Sequence, residues 1–206
     1  NLFVQDEVAL SRTVNLTLGA KAETNVYTNL EFLPSARIAW KPDAEQLVWG
    51  ALSRAVRAPA RVDSDFRLYL TVPPGTPVSS FIKGGPQFQS EVADVLEIGY
   101  RAQPSSVLSY SITAYYSYYD KLRSGQPAPA FIQNMMEGVT DGIEAWGNYQ
   151  ATSAWRLSAG FTVMHERFWL KPGSTDPDLA TDAADDPANT WMLRSTYNLT
   201  RRHDID

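Results

Sequence analysis

Residues 91–119, EVADVLEIGYRAQPSSVLSYSITAYYSYY, hold the pattern that most restricts what this chain can fold into. Leu108, Tyr110, Ile112, Ala114, Tyr116 and Tyr118 take every second place. Ser109, Ser111, Thr113, Tyr115, Ser117 and Tyr119 take the places between. Alternation of this kind makes a strand with one apolar and one polar face. The strand is too long for most soluble sheets, whose strands run about five or six residues. It matches the roughly nine to eleven tilted residues that a bilayer asks of a barrel wall. With the run before it, and a turn at Gln103-Pro104-Ser105-Ser106, it reads as a bilayer-length hairpin. Tyrosine on its apolar face suits the level of lipid headgroups.

Composition agrees with that reading and excludes others. Of 206 residues, 44% are hydrophobic and 20% charged, which is not the balance of a disordered chain. A net charge of −5 gives no footing for nucleic acid as a partner. The absence of cysteine removes disulfides and thiolate metal sites. Apolar runs fall short of the ~18 residues of a membrane helix, but a barrel alternates its faces and dilutes its own hydropathy. Both ends read as cut. Leu2-Phe3-Val4 is already strand, and His203-Asp204-Ile205-Asp206 opens another, so the expectation is a piece of a longer protein.

Taken in order, residues 2–10 and 14–23 form the first two strands. In the second, Val14, Leu16, Leu18, Ala20 and Ala22 alternate with Asn15, Thr17, Gly19, Lys21 and Glu23. A polar loop is expected over 24–31, a strand over 33–41, a turn at 42–45 and a strand over 46–54. The faces of the first and fourth strands stay open. Residues 55–90 contain five prolines, which argue against a membrane strand there. Residues 67–72 and 78–82 could form a small hairpin inside this loop. A second polar loop is expected over 120–137, strands over 139–150 and 155–168, an acidic loop over 171–188, and a strand over 191–199.

Short turns near 12, 43, 104, 152 and 201 thus alternate with long connections near 28, 72, 128 and 180. Outer-membrane barrels place short turns on the periplasmic side and long loops outside. Aromatic residues add a second sign. Trp40, Tyr100, Tyr149, Trp155 and Tyr197 lie near short turns, and Tyr116, Tyr118, Phe168, Trp169 and Trp191 near long ones. Two such clusters form the interfacial girdles of a membrane barrel. The expected fold is all-β, an antiparallel up-and-down meander of about ten long strands. A diffusion porin, or a soluble β-rich carbohydrate-binding module that buries its tyrosines between sheets, would be the competing readings.

Several stretches resemble the barrel of TonB-dependent outer-membrane receptors. Leu2-Phe3-Val4-Gln5-Asp6-Glu7 is similar to that family's FVQDE strand, and residues 33–40, LPSARIAW, to its strand before a proline turn. WGALSRAVRAP, residues 49–59, is similar to its S-R-x-x-R-x-P segment. Gly84-Gly85-Pro86-Gln87-Phe88-Gln89-Ser90-Glu91 follows the spacing of G-N-P-x-L-x-P-E, with Gly85 and Ser90 as departures, and leads into Leu96-Glu97-Ile98-Gly99-Tyr100-Arg101. Tyr119-Asp120-Lys121-Leu122 and Gly142-Ile143-Glu144 resemble later elements, so residues 2–144 carry the likeness. The resemblance implies a segment of a ~22-stranded barrel around a plug, set in outer-membrane lipid. Such a receptor takes up a scarce ligand, a ferric siderophore or similar iron chelate, with energy from the TonB complex. The plug, the TonB-contacting N-terminal region and the C-terminal strands are expected outside these 206 residues. No cofactor is implied.

Arg54, Arg57 and Arg61, followed by Asp63 and Asp65, stand where the fourth strand meets the longest loop. Guanidinium suits the carboxylates of an anionic chelate; pairing with acidic wall residues is the plainer role. Glu97, Arg101 and Glu144 are expected to face the lumen as structural charges. Asp176, Asp178, Asp182, Asp185 and Asp186 crowd one loop without the spacing of a calcium loop. His165 and His203 make no zinc pattern, and no G-x-S-x-G elbow occurs. Neither a metal site nor an enzyme is expected.

Overall fold

Period-two patterning becomes strand after strand in the computed structural model, which describes residues 1–69, 80–127, 130–177, 179–200 and 203–206. The elements in chain order are β1 (Leu2–Ala9), β2 (Val14–Asn25), β3 (Asn29–Trp40), β4 (Gln46–Arg57), α1 (Arg61–Ser64), β5 (Arg67–Tyr69) and β6 (Ser80–Lys83). There follow β7 (Glu91–Ser105), β8 (Leu108–Gly125), β9 (Ala130–Thr152), β10 (Trp155–Leu170), α2 (Leu179–Asp182), β11 (Asn189–Thr200) and β12 (His203–Ile205). The sheet order is β1-β2-β3-β4-β7-β8-β9-β10-β11-β12, so each strand of the wall pairs with its neighbour in sequence. β5 and β6 stand off this path.

Register decides which side chains share a face. Leu52 pairs with Leu96, Leu96 with Tyr116, and Ile98 with Ala114. Leu16 pairs with Ile38, and Trp155 with Tyr197. These positions form one continuous apolar face, and it is the exposed one: Ile98 and Leu52 are each 58% exposed. On the opposite face of β8, Ser111 and Ser117 retain only 6% and 5%. A sheet built for water would bury the leucines and expose the serines. Here the apolar band faces outward, as lipid requires, and the polar side chains face the concave interior.

The structure corrects the expected loops. Residues 24–31 are not a long loop, because β2 and β3 pair down to Asn25↔Asn29. Asn25 makes the turn: its Oδ1 accepts the N–H groups of Tyr27 at 2.8 Å and Thr28 at 2.9 Å. Asn29 then takes φ 64°, a left-handed conformation that Asn tolerates better than most residues. Residues 120–137 are largely strand too, since β8 runs to Gly125 and β9 begins at Ala130. Bulges around Leu122 let the polar run stay paired. The hairpin turn opening β8 lies at residues 106–107, beyond Gln103-Pro104.

The small hairpin in the longest loop is present as β5 with β6, although Pro73, Pro74 and Pro77 lie outside the described residues. The ten-strand meander is antiparallel throughout, and off its path β6 pairs parallel with β9 through Ile82↔Ala130. Phe168 leaves the proposed outer girdle. It pairs with Gly138 and meets inward Tyr119 at 6.1 Å between ring centroids.

If the exposed apolar band meets lipid, Ile98→Lys should destabilise the assembled barrel by about 2–4 kcal/mol, whereas inward Thr113→Lys should cost far less. Urea titration of the full-length protein in bilayers reads the difference. Equal effects would mean that both faces meet water.

Candidate functional site

The site is assembled at the rim where β4 gives way to the longest loop. Arg57 is the last residue of β4 and sits opposite Glu91, the first of β7. Its Nε donates to Glu91 Oε2, and its Nη1 donates to Asp63 Oδ2 at 3.2 Å. The other Glu91 oxygen accepts the Arg123 N–H at 2.7 Å. Arg123 Nη1 lies 3.6 Å from Asp63 Oδ1. Asp63 is fully buried on α1 and also accepts the Ala60 N–H at 2.9 Å. Two guanidiniums and two carboxylates therefore lock the loop to the tops of β4, β7 and β8. Burying Asp63 without these partners would be costly. A backbone bond from the Gly85 N–H to the Asp63 carbonyl, 2.8 Å long, fastens the returning strand to the same point.

The neighbouring loops are braced in the same manner. Asn134 Oδ1 accepts the Gln89 N–H at 2.7 Å, and its Nδ2 donates to the Gln89 carbonyl at 3.0 Å. Gln126 Oε1 accepts both the Thr175 N–H and its hydroxyl at 2.6 Å. Asp176 Oδ2 accepts the Gly125 N–H at 2.6 Å, and Lys171 pairs with Asp120. Charge and backbone bonds thus hold three excursions of the chain at one end of the sheet. Asp176 serves as a brace in this arrangement, while Asp185 and Asp186 are exposed. Asp178 and the side chain of Asp182 lie outside the described residues.

Arg54, Arg57 and Arg61 do not converge. Arg54 points outward, its Nε and Nη2 each 2.7 Å from an oxygen of Asp94. Arg57 belongs to the rim cluster. Arg61 lies on α1, 3.6 Å from Asp65, with its side chain 87% exposed. Glu97, Arg101 and Glu144 share the inward face but do not form one cluster. Arg101 and Trp146 flank Ser111 in register, and the guanidinium lies 5.8 Å from the Trp146 ring centre. A second stack has Arg37 5.7 Å from the ring centre of Trp49. That ring lies on Gly99, where an added Cβ would come within 2.3 Å of it. The glycine of the Leu96–Arg101 stretch is there because the indole occupies its side-chain space.

Sequence reasoning named Asp63 only as a neighbour of the arginines, and it missed Glu91, Arg123, Asp94 and Trp146. Cross-strand register, which pairs residue 57 with 91 and 54 with 94, was the missing information.

Asp63→Ala should loosen the loop and leave the wall intact. Amides of residues 60–66 should lose about 1–3 kcal/mol of hydrogen-exchange protection, with β7 and β8 unchanged. Unaltered exchange at those amides would show that the cluster does not hold the loop.

Comparison with known proteins bears on this arrangement. Residues 1–203 match the TonB-dependent receptor-like β-barrel family. The iron-regulated outer membrane virulence protein of Vibrio cholerae serotype O1 is 28% identical over 180 residues, covering 79% of this chain and 26% of the relative. The chain thus spans about a quarter of the curated relatives it matches. The crystal structure of the siderophore receptor PirA from Pseudomonas aeruginosa superposes with a TM-score of 0.74 at 17% identity, over 98% of this chain and 37% of that one. The FrpB iron transporter from Neisseria meningitidis gives 0.73 at 13%, over 97% and 30%. These two likenesses show a shared fold. A wall of lipid-facing strands with loops braced at one rim, matched from residue 1 to 203, belongs to the TonB-dependent receptor-like β-barrel family.

Proposed function

We propose that this chain is wall and outer loops of an outer-membrane receptor that takes up a ferric siderophore or similar iron chelate. Energy would come through TonB, by way of a region outside this chain. One observation carries the reading: several loops are tied into a single platform above a polar inward face, as suits a ligand gate more than an open pore. The family is one of receptors and transporters rather than enzymes. The names of similar proteins point the same way, since they include an iron-regulated protein, a siderophore receptor and a ferric enterobactin receptor of Pseudomonas aeruginosa solved with enterobactin. The last is 15% identical, too distant to transfer its ligand.

Among Arg54, Arg57 and Arg61, Arg61 is the one we assign to ligand contact. Arg57 is committed to Glu91 and Asp63, and Arg54 faces outward. An exposed guanidinium on a braced loop can meet an anionic chelate without first breaking a buried pair.

Uptake assays with a panel of ferric chelates, in cells with and without the full-length receptor, test the proposal. Uptake of one chelate should depend on both the receptor and TonB, and Arg61→Ala should weaken its binding several-fold. Uptake that persists without TonB would instead mark a diffusion pore. No effect on any chelate would remove the iron assignment.

A further inference from the structure

The β3–β4 ladder runs only from Trp40↔Val48 to Ser35↔Ser53. Both strands continue past it. Residues 29–34 stay paired with β2, and residues 54–57 stay paired with β7. The wall therefore forks on the loop side of Ser35 and Ser53. Pro34 stands at the fork and brings no N–H to the ladder. Farther up, the gap is bridged: the Ser90 hydroxyl donates to Glu31 Oε1 at 2.7 Å and lies 3.1 Å from Thr28 Oγ1. What remains is a window in the wall, closed below by backbone pairing and above by side chains.

On the outward face the fork opens into a groove of about 860 Å³, lined by Leu18, Phe32, Leu52, Leu96 and Tyr116, with Arg54 beside them. The groove lies on the lipid-facing side of the sheet, so its occupant comes from the membrane. Arg54 stands roughly 26 Å along β4 from its first residue, at ~3.3 Å per residue. With strands tilted about 35–45°, that is close to the outer edge of an apolar band ~25 Å tall. Hydrocarbon is thus expected beside Leu52 and phosphate beside Arg54. Asp94 uses Nε and Nη2 of Arg54, and Nη1 takes no part in that pair. Backbone groups beyond the fork have no ladder partner across it. In lipid such groups call for a polar partner, which the carbonyl of an acyl linkage can supply.

We propose that this fork binds one phosphorylated acyl glycolipid of the outer leaflet, with an acyl chain in the groove and a phosphate on Arg54. Guanidinium and phosphate match in charge and in donor geometry. Asp94, which also lines the groove, orients the guanidinium.

The test is native mass spectrometry of the full-length receptor in detergent, titrated with bis-phosphorylated lipid A. One lipid should be retained per receptor. Arg54→Gln should weaken retention about tenfold or more, the value of a charge-assisted hydrogen bond. Ala36→Trp, which fills the groove, should abolish it, with barrel assembly verified by heat-modifiable migration. Leu52→Trp serves if that variant does not assemble. Retention unchanged in Arg54→Gln and in the tryptophan variant, or loss of several lipids together without saturation, would overturn the site. Equal retention of phosphate-free lipid A would overturn the role of Arg54. Displacement by phosphatidylglycerol at equal concentration would overturn the assignment to an outer-leaflet glycolipid.

Discussion

Satisfying the backbone inside a bilayer is the constraint on which the rest of this structure depends. Hydrocarbon offers no partner to an N–H or C=O, so strands must pair laterally along their length. That demand explains the sequence-neighbour pairing of the wall. Departures from full pairing gather toward the end of the strands that carries the long loops. The bulges near Leu122 and the fork past Ser35 both lie on the loop side of the strands.

Electrostatics divides the wall into levels. Across the apolar band the outward residues are mostly aliphatic or aromatic, and charged pairs such as Arg54–Asp94 and Arg167–Asp141 appear toward the loop side. Inside, cations are satisfied differently. Arg37 and Arg101 lie over indole rings, which holds them in place while leaving their edges free to donate. At the rim, Arg57 bonds Glu91 and Asp63, and Arg123 lies beside the same two carboxylates, so charge is balanced around the buried Asp63.

Most of the wall was legible in the sequence because period two is a local signal. Leu108 to Tyr119 shows its two faces without any partner strand. The loop at 24–31 was misread because polar, Asn-rich sequence suits a long connection and a tight Asn-capped turn equally well; only the pairing of Asn25 with Asn29 separates them. Residues 120–137 misled for a related reason, since charged side chains are as content on a paired strand standing in water as on a loop. The rim cluster was half legible. Arg57 and Asp63 are close in sequence, but Glu91 and Arg123 arrive from 34 and 66 residues farther along, and no local pattern joins them. Aromatic positions near strand ends could be read as girdle residues, yet parity put Phe168 on the other face.

The tight turn after β2 has a consequence for the shape of the mouth. On one side the chain climbs well beyond the sheet, in α1, β5, β6 and the segment containing α2. Between β2 and β3 it reverses at once, at residues 26–28. The rim is therefore not level. Within this segment it has a tall parapet on one flank and a low sill on the other. Lengthening that one turn would raise the sill while leaving every contact of the parapet in place.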